Sequence, residues 1–175
     1  MDDRINAILS DDVIIAPFSE LANQLYEKNR FGELRNKKIH YSFSEALYLF
    51  EEEKLDLIDS KGKKLDFDSF IKKAKKSEPK FWTKYCVYKE MRKRGYIVKT
   101  ALKFGAEFRV YDRGIKPGED HAKWILYPVN EREMFTWYDF SAKNRVAHST
   151  RKRLLLGVVD EEGDVTFYEV KWTRP

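Results

Sequence analysis

The sequence predicts a mixed α/β (α+β) protein of two small domains, each a mixed β-sheet with flanking helices. Two observations lead there. Short apolar runs of strand length alternate with capped segments of helical period along the 175 residues. Charge is also divided unevenly. Residues 1–78 carry 14 basic and 16 acidic side chains, a net of −2; residues 79–175 carry 20 and 13, a net of +7, and the two sum to +5. The change falls near Ser77-Glu78-Pro79, where Pro79 interrupts a lysine-rich helical pattern. A boundary is expected there, with a structural or assembly domain over 1–78 and the working domain over 79–175. No internal repeat and no low-complexity tract is present.

The first half reads as short strands and helices in alternation. Val13 to Ala16 is a strand ended by Pro17. Ser19 caps a helix through Tyr26. Ser44 to Phe50 reads as a capped helix, and Leu55 to Ile58 as a short strand. Asp66 or Asp68 starts a helix through Lys76, with Phe67, Phe70, Ile71 and Ala74 inward. Lys72, Lys73, Lys75 and Lys76 then form its solvated face; contact with RNA is the rarer use of such a face.

The second half opens with a helix from Pro79 to about Arg94. Proline suits its first turn, and Gly95 marks its end. Phe81, Tyr85, Tyr88 and Met91 share a core-facing stripe. Strands follow at Tyr96 to Lys99 and Ala106 to Tyr111, then a turn-forming loop from Asp112 to Asp120. A strand from His121 to Val129 comes next. A helix from about Thr136 to His148 and an apolar strand from Leu154 to Val159 follow. The turn Glu161-Glu162-Gly163-Asp164 closes a hairpin with Val165 to Trp172.

Composition excludes several classes. Charged residues make up 36% and apolar residues 42%, enough for a packed core. No apolar run approaches the roughly 18 residues of a membrane span, and the acidic start Met1-Asp2-Asp3-Arg4 lacks a signal-peptide pattern. An intracellular, cytoplasmic protein without membrane association is expected. One cysteine, Cys86, excludes an internal disulfide framework, and three histidines argue on numbers alone against a histidine-rich metal centre. Charge is abundant, while amides are scarce: one Gln and six Asn. That combination is the thermophile pattern. No phosphate-binding glycine loop, dinucleotide fingerprint or serine elbow is present. Cys86, mid-helix among aromatics, reads as a small hydrophobe.

What remains is a basic, aromatic-rich second half, a plausible electrostatic footprint for nucleic acid. His121 closes a nine-residue loop whose other end is Tyr111; such a loop either joins neighbouring strands or carries a residue to a ligand. Lys152 lies in Arg151-Lys152-Arg153, which is either a solvated turn or a phosphate clamp. His148 sits on a helix face and reads as structural.

At this point the residues resemble a known family. Tyr85 to Val98, Lys103 to Tyr111, His121 ten residues on, and Arg145 to Lys152 together resemble the archaeal tRNA splicing endonucleases (tRNA-intron endonucleases) of short-subunit type. The likeness covers nearly all of 80–175 and is looser before it. Ala101 departs from it, standing where glycine is expected before Leu-Lys-Phe-Gly; a slightly altered bend is expected, with the site kept.

The resemblance implies a catalytic triad of Tyr111, His121 and Lys152 in a C-terminal nuclease domain. It implies an enzyme, a tRNA-intron lyase, that cuts precursor tRNA at both splice sites of a bulge-helix-bulge. The products carry 2′,3′-cyclic phosphate and 5′-hydroxyl ends, and no cofactor or metal takes part. It implies that Arg145 and Trp172 grip a bulge base, although Trp172 could equally be strand-end packing. It further implies that Asp160, Glu161, Glu162 and Asp164 enter a basic groove of another subunit and hold a homotetramer. Without the resemblance, that turn is an ordinary hairpin tip.

The chemistry fits the residue types. Attack by the RNA's own 2′-hydroxyl needs a base, an acid for the leaving 5′-oxygen, and positive charge at the phosphorane. Histidine, with a reference pKa of ~6.5, suits the acid. Lysine supplies charge that gains strength as the phosphorane becomes more negative. Tyrosine, at ~10, needs neighbouring cations to serve as base; otherwise it orients the hydroxyl. Two rivals remain. One is a metal-dependent nuclease of restriction-enzyme type using Glu107 and Asp112. The other is a non-catalytic RNA-binding or structural subunit of a heteromeric endonuclease.

Overall fold

The computed structural model describes residues 4–175. The chain divides into two compact units, Met1–Trp82 and Thr83–Pro175. Among the described residues, each holds one five-stranded mixed sheet with helices beside it. No described helix is long and apolar enough to cross a membrane.

The first unit runs β1 (Ile5–Ser10), β2 (Val13–Pro17), α1 (Glu20–Asn29), β3 (Glu33–Arg35), β4 (Lys38–Tyr41), α2 (Phe43–Glu51), β5 (Leu55–Asp59) and α3 (Phe67–Ser77). The sheet order is β3-β4-β2-β1-β5, with β1 parallel to β5 and the other neighbours antiparallel. Three of these strands go beyond the sequence reading. β1 is a clean alternation, with Ile5, Ala7 and Leu9 buried and the residues between them exposed. The β3–β4 hairpin turns through Asn36 and Lys37 at φ 49° and 60°, the left-handed pair that tight hairpins need. Lysine occupies a position where glycine is the usual signal.

The helix starts follow their caps. Ser19 and Asp66 accept backbone N–H bonds from Ala22 and Ser69. α2 is capped by Ser42 rather than Ser44, because Glu45 stands three residues after Ser42 and closes a reciprocal capping box. Glu45 is buried, and its other carboxylate oxygen accepts the Gly32 N–H at 3.0 Å. Gly32 needs to be glycine: its φ is +76°, and a Cβ there would clash with Ile39 Cγ2.

The second half continues with α4 (Phe81–Lys93), β6 (Ile97–Thr100), a short 3₁₀ turn (Leu102–Phe104), β7 (Phe108–Tyr111), β8 (Trp124–Asn130), α5 (Trp137–Ser149), β9 (Arg153–Val159) and β10 (Val165–Val170). The sheet order is β10-β9-β8-β7-β6. β8 and β9 are parallel and are joined through α5; the other neighbours are antiparallel. The expected aromatic stripe of α4 (Phe81, Tyr85, Tyr88, Met91) is buried, as is Cys86. At the centre of β9, Gly157 leaves room for Val87: an added Cβ would meet both its methyls at 2.9 Å.

Two boundaries differ from the sequence reading in ways that matter for the site. β8 begins at Trp124, so His121 stands in the preceding loop rather than in the strand. β10 ends at Val170, which leaves Trp172 past the strand. Ala101 is fully buried with φ −128°, an ordinary conformation for alanine, and the left-handed residue of this bend is Gly105 at φ +71°. The bend therefore does not require glycine at position 101.

Candidate active site

Strand direction gathers the candidate residues. β7 runs antiparallel to β8 and β8 parallel to β9, so the end of β7 and the starts of β8 and β9 share one edge of the sheet. Val110 pairs with Trp124, and Trp124 with Arg153. One step outward on these ladders, Tyr111 and Lys152 flank Lys123. Two strand spacings then separate their backbones by roughly 10 Å. The Lys123 N–H donates to the Val110 carbonyl at 2.8 Å, and the Arg153 N–H to the Lys123 carbonyl at 3.0 Å, which holds this edge together.

Each residue is held by its own device. Tyr111 is the last residue of β7 and is buried. His121 is exposed at the end of the loop, where its backbone N–H donates to Asp120 Oδ1 at 2.7 Å. The loop is clamped at its base: Lys123 Nζ meets Asp112 Oδ2 at 3.0 Å. That contact, with the Arg113 N–H, holds the Asp112 carboxyl below its ordinary range. Lys152 follows the end of α5. There Arg151 takes φ +57°, its N–H donates to the His148 carbonyl, and the Lys152 N–H donates to the Ala147 carbonyl at 2.8 Å. This pair of bonds is the Schellman closure, built with arginine where glycine is usual. Lys152 Nζ turns back to the Thr150 carbonyl at 3.0 Å and stands 5.4 Å from the Phe104 ring centroid.

Tyr111, His121 and Lys152 line one pocket of about 350 Å³, together with Phe104, Arg109, Ala122 and the loop residues Gly118, Glu119 and Asp120. The floor beneath this region is a buried cluster of Ala101, Ala106, Ile125, Tyr127, Ala147 and Leu154. Burial, and then the positive charge of Arg109, hold the Lys152 ammonium below the usual lysine range. Lys123, although it lies between Tyr111 and Lys152 on the ladder, is committed to Asp112 and does not line the pocket. Among the described residues no three His, Cys, Asp or Glu side chains gather as metal ligands would.

The other candidates lie elsewhere on this unit. Arg145 and His148 are exposed one turn apart on α5, and the His148 ring lies 4.8 Å from that of Trp172. The acidic turn joins β9 to β10, and its members are not equivalent. Asp160 Oδ1 accepts the N–H groups of Glu162 and Asp164, both at 2.9 Å, so this carboxylate folds the turn. Glu161 pairs with Arg132, while Glu162 and Asp164 are exposed. Sequence reasoning did not single out Arg109 or Phe104 as pocket residues. The available signal was spacing: Arg109 is two residues before Tyr111 and so shares its face of β7.

A two-unit α+β chain whose second unit gathers a phenol, an imidazole and an ammonium around one pocket has the chemical equipment of an acid–base ribonuclease. The family comparison defines it further. The family model for the catalytic C-terminal domain of tRNA intron endonuclease matches residues 81–167, and that for the N-terminal domain of the same family matches residues 5–71. The chain belongs to the tRNA-intron endonuclease family and is an enzyme of that class. It is 41% identical over 174 residues to the tRNA-splicing endonuclease of Thermococcus onnurineus, with 99% of each chain covered. It is 40% identical over 174 residues to that of Pyrococcus horikoshii, again with 99% of each chain covered. With that of Nanoarchaeum equitans it shares 47% over 137 residues, covering 75% of this chain and 87% of the other. These relatives come from archaea of hot habitats, in keeping with the charge-rich, amide-poor composition.

Proposed function

We propose that the chain removes introns from precursor tRNA by cutting both splice sites of a bulge-helix-bulge without a metal ion. The observation that carries this reading is the single pocket lined by Tyr111, His121 and Lys152. Tyr111, as its phenolate, takes the proton of the 2′-hydroxyl. The 2′-oxygen forms a bond to phosphorus while the bond from phosphorus to the 5′-oxygen breaks. His121, as imidazolium, gives its proton to the departing 5′-oxygen. Lys152 neutralises the charge that builds on the phosphorane. The products are a 2′,3′-cyclic phosphate and a 5′-hydroxyl, and each acid or base role contributes about 10²–10⁴ in rate.

Arg145 and Trp172 supply the grip on a bulge base. Both are exposed, and His148 lies beside Trp172 one turn from Arg145, which supports this reading. An arginine over an indole face makes a cation–π pair. Two cut sites require two pockets at once, which a symmetric homotetramer provides. The exposed carboxylates of the β9–β10 turn supply its intersubunit contact, and the compartment is the cytoplasm.

The test is cleavage of a bulge-helix-bulge RNA by the purified chain, with end-group analysis, in EDTA and with His121→Ala alongside. The expected result is cyclic-phosphate ends in EDTA and a loss of about 10² or more in the variant. Wild-type cleavage by pure His121→Ala would overturn the acid role of His121 and the triad with it. Loss of cleavage in EDTA would favour a metal-dependent nuclease, and inactivity of the chain by itself would favour a subunit that needs a different partner.

A further inference from the structure

Arg109 is a cation of the pocket for which the chemistry above has no use. It lies two residues before Tyr111 in β7, on the same face of the strand, and it lines the pocket with Tyr111, His121 and Lys152. Its Nε is buried and has no hydrogen-bond partner. Among the described residues no carboxylate pairs with its guanidinium. Its neighbours are the Tyr111 ring, whose centroid is 5.9 Å from Cζ, and the positive charge of Lys152.

Two cations side by side without a counter-ion are costly to bury, because each weakens the case for the other's charge. The carboxylates that line the same pocket, Glu119 and Asp120, form no ion pair with either cation. Asp120 Oδ1 accepts the His121 N–H at 2.7 Å, and Glu119 Oε2 accepts the Lys116 N–H at 3.0 Å. Both acids are used to fold the loop. Among the described residues, then, neither Arg109 nor Lys152 has a carboxylate in ion-pair contact, and Arg109 is a planar fork of donors suited to two oxygens of a phosphate.

We propose that Arg109 is a phosphate-binding catalytic residue, whose guanidinium takes a non-bridging oxygen of the scissile phosphodiester beside Lys152. The inference rests on the reading that Tyr111, His121 and Lys152 cut the RNA in this pocket. In that reading Lys152 alone met the charge of the phosphorane; with Arg109 the charge is divided between two cations. The incoming phosphate is the missing counter-ion of both.

The experiment is single-turnover cleavage of a bulge-helix-bulge RNA by the full-length chain as wild type, Arg109→Gln, Arg109→Lys and His121→Ala. Each protein is assayed on all-oxygen RNA and on the two phosphorothioate diastereomers at the cut site. Arg109→Gln should be slower by about 10²-fold or more, with RNA affinity within a few-fold of wild type. Arg109→Lys should recover part of the rate. Wild type should discriminate between the diastereomers, and Arg109→Gln should lose that discrimination. If Arg109→Gln does not fold, the same loss is read from Arg109→Lys, which keeps the charge but not the fork. Wild-type rates in the Arg109 variants beside an inactive His121→Ala would overturn this proposal and leave the parent reading standing. So would slow variants that keep the full diastereomer preference, because the residue would then be structural. An active His121→Ala would overturn both.

Discussion

At the scale of single residues, the pocket is built from side chains whose usual partners have been removed or assigned elsewhere. Lys152 keeps one bond to the Thr150 carbonyl and sits beside another cation; Asp112, just outside, keeps Lys123 occupied. The Asp112–Lys123 pair has a consequence for pH. The Asp112 carboxyl is held below its ordinary value in the fold, first by the Lys123 bond and then by the Arg113 N–H. Its stabilising effect is therefore present above an unfolded aspartate pKa of ~3.9 and is lost as pH falls through the lowered value. Thermal melts of wild type and Asp112→Asn should separate above about pH 4 and converge below it. Curves with a constant gap down to about pH 2 would assign the difference to something other than this titration.

The catalytic candidates were legible in the sequence because tyrosine, histidine and lysine recur at a family's spacing. Arg109 was not. An arginine in a strand ordinarily snorkels to solvent, and nothing in local sequence tells whether a carboxylate will meet it. Only the folded pocket reveals that none of the described ones does. The unequal members of the acidic turn were hidden for a similar reason: four carboxylates within five residues look alike in charge, while the turn's hydrogen bonds select Asp160 as an internal acceptor.

At the scale of elements, the helix end that carries Lys152 and the strand that follows it are the parts most exposed to single changes. Arg151 adopts a left-handed conformation, which costs about 1–2 kcal/mol for a residue with a Cβ. Arg151→Gly should raise stability by up to about 1 kcal/mol in denaturant unfolding, with the midpoint as the readout. A decrease would show that the arginine side chain contributes more than its backbone costs. Gly157→Ala should go the other way. Its new methyl meets the two branches of Val87, a side chain stiff at χ1, and the overlap should cost about 1–3 kcal/mol. An unchanged melting temperature would mean that α4 can lift from the sheet without loss.

Elements with caps or long apolar periods were read correctly in kind, as with α3, α5 and β9. The misses have physical causes. β3 and β4 are short, and β3 is exposed throughout, so burial leaves little trace in its sequence. Their turn uses lysine at a left-handed position, which suppresses the usual glycine signal. β1 has a period-two burial pattern, but the exposed Ile8 breaks the apolar–polar alternation that would signal it in the sequence. The sequence reading starts β8 at His121, whereas the strand begins at Trp124, although Ala122 before it is already buried.

At the scale of the whole molecule, the two units divide their charge: the excess of basic residues lies in the half that carries the pocket. RNA affinity should fall steeply with added salt because releasing condensed counterions gains less at higher salt, a slope measurable by titration between about 50 and 200 mM salt. Assembly can be tested without damaging the β9–β10 turn by leaving Asp160 alone. Glu162→Lys with Asp164→Lys should reduce a tetramer to smaller species by light scattering, while the hairpin keeps its fold. An unchanged mass would remove the acidic turn from the assembly.

The Schellman closure at the end of α5 has one more implication. The lysine's backbone is tethered to a residue five places upstream, whereas the histidine ends a part-exposed loop held to its surroundings by the Lys123–Asp112 ion pair and the contact of Arg113 with the Tyr96 ring. On heating, the two groups should lose their bearings in sequence, the imidazole first. The upper working temperature would then be set by how long these few contacts keep a loop in place, before the sheet itself melts.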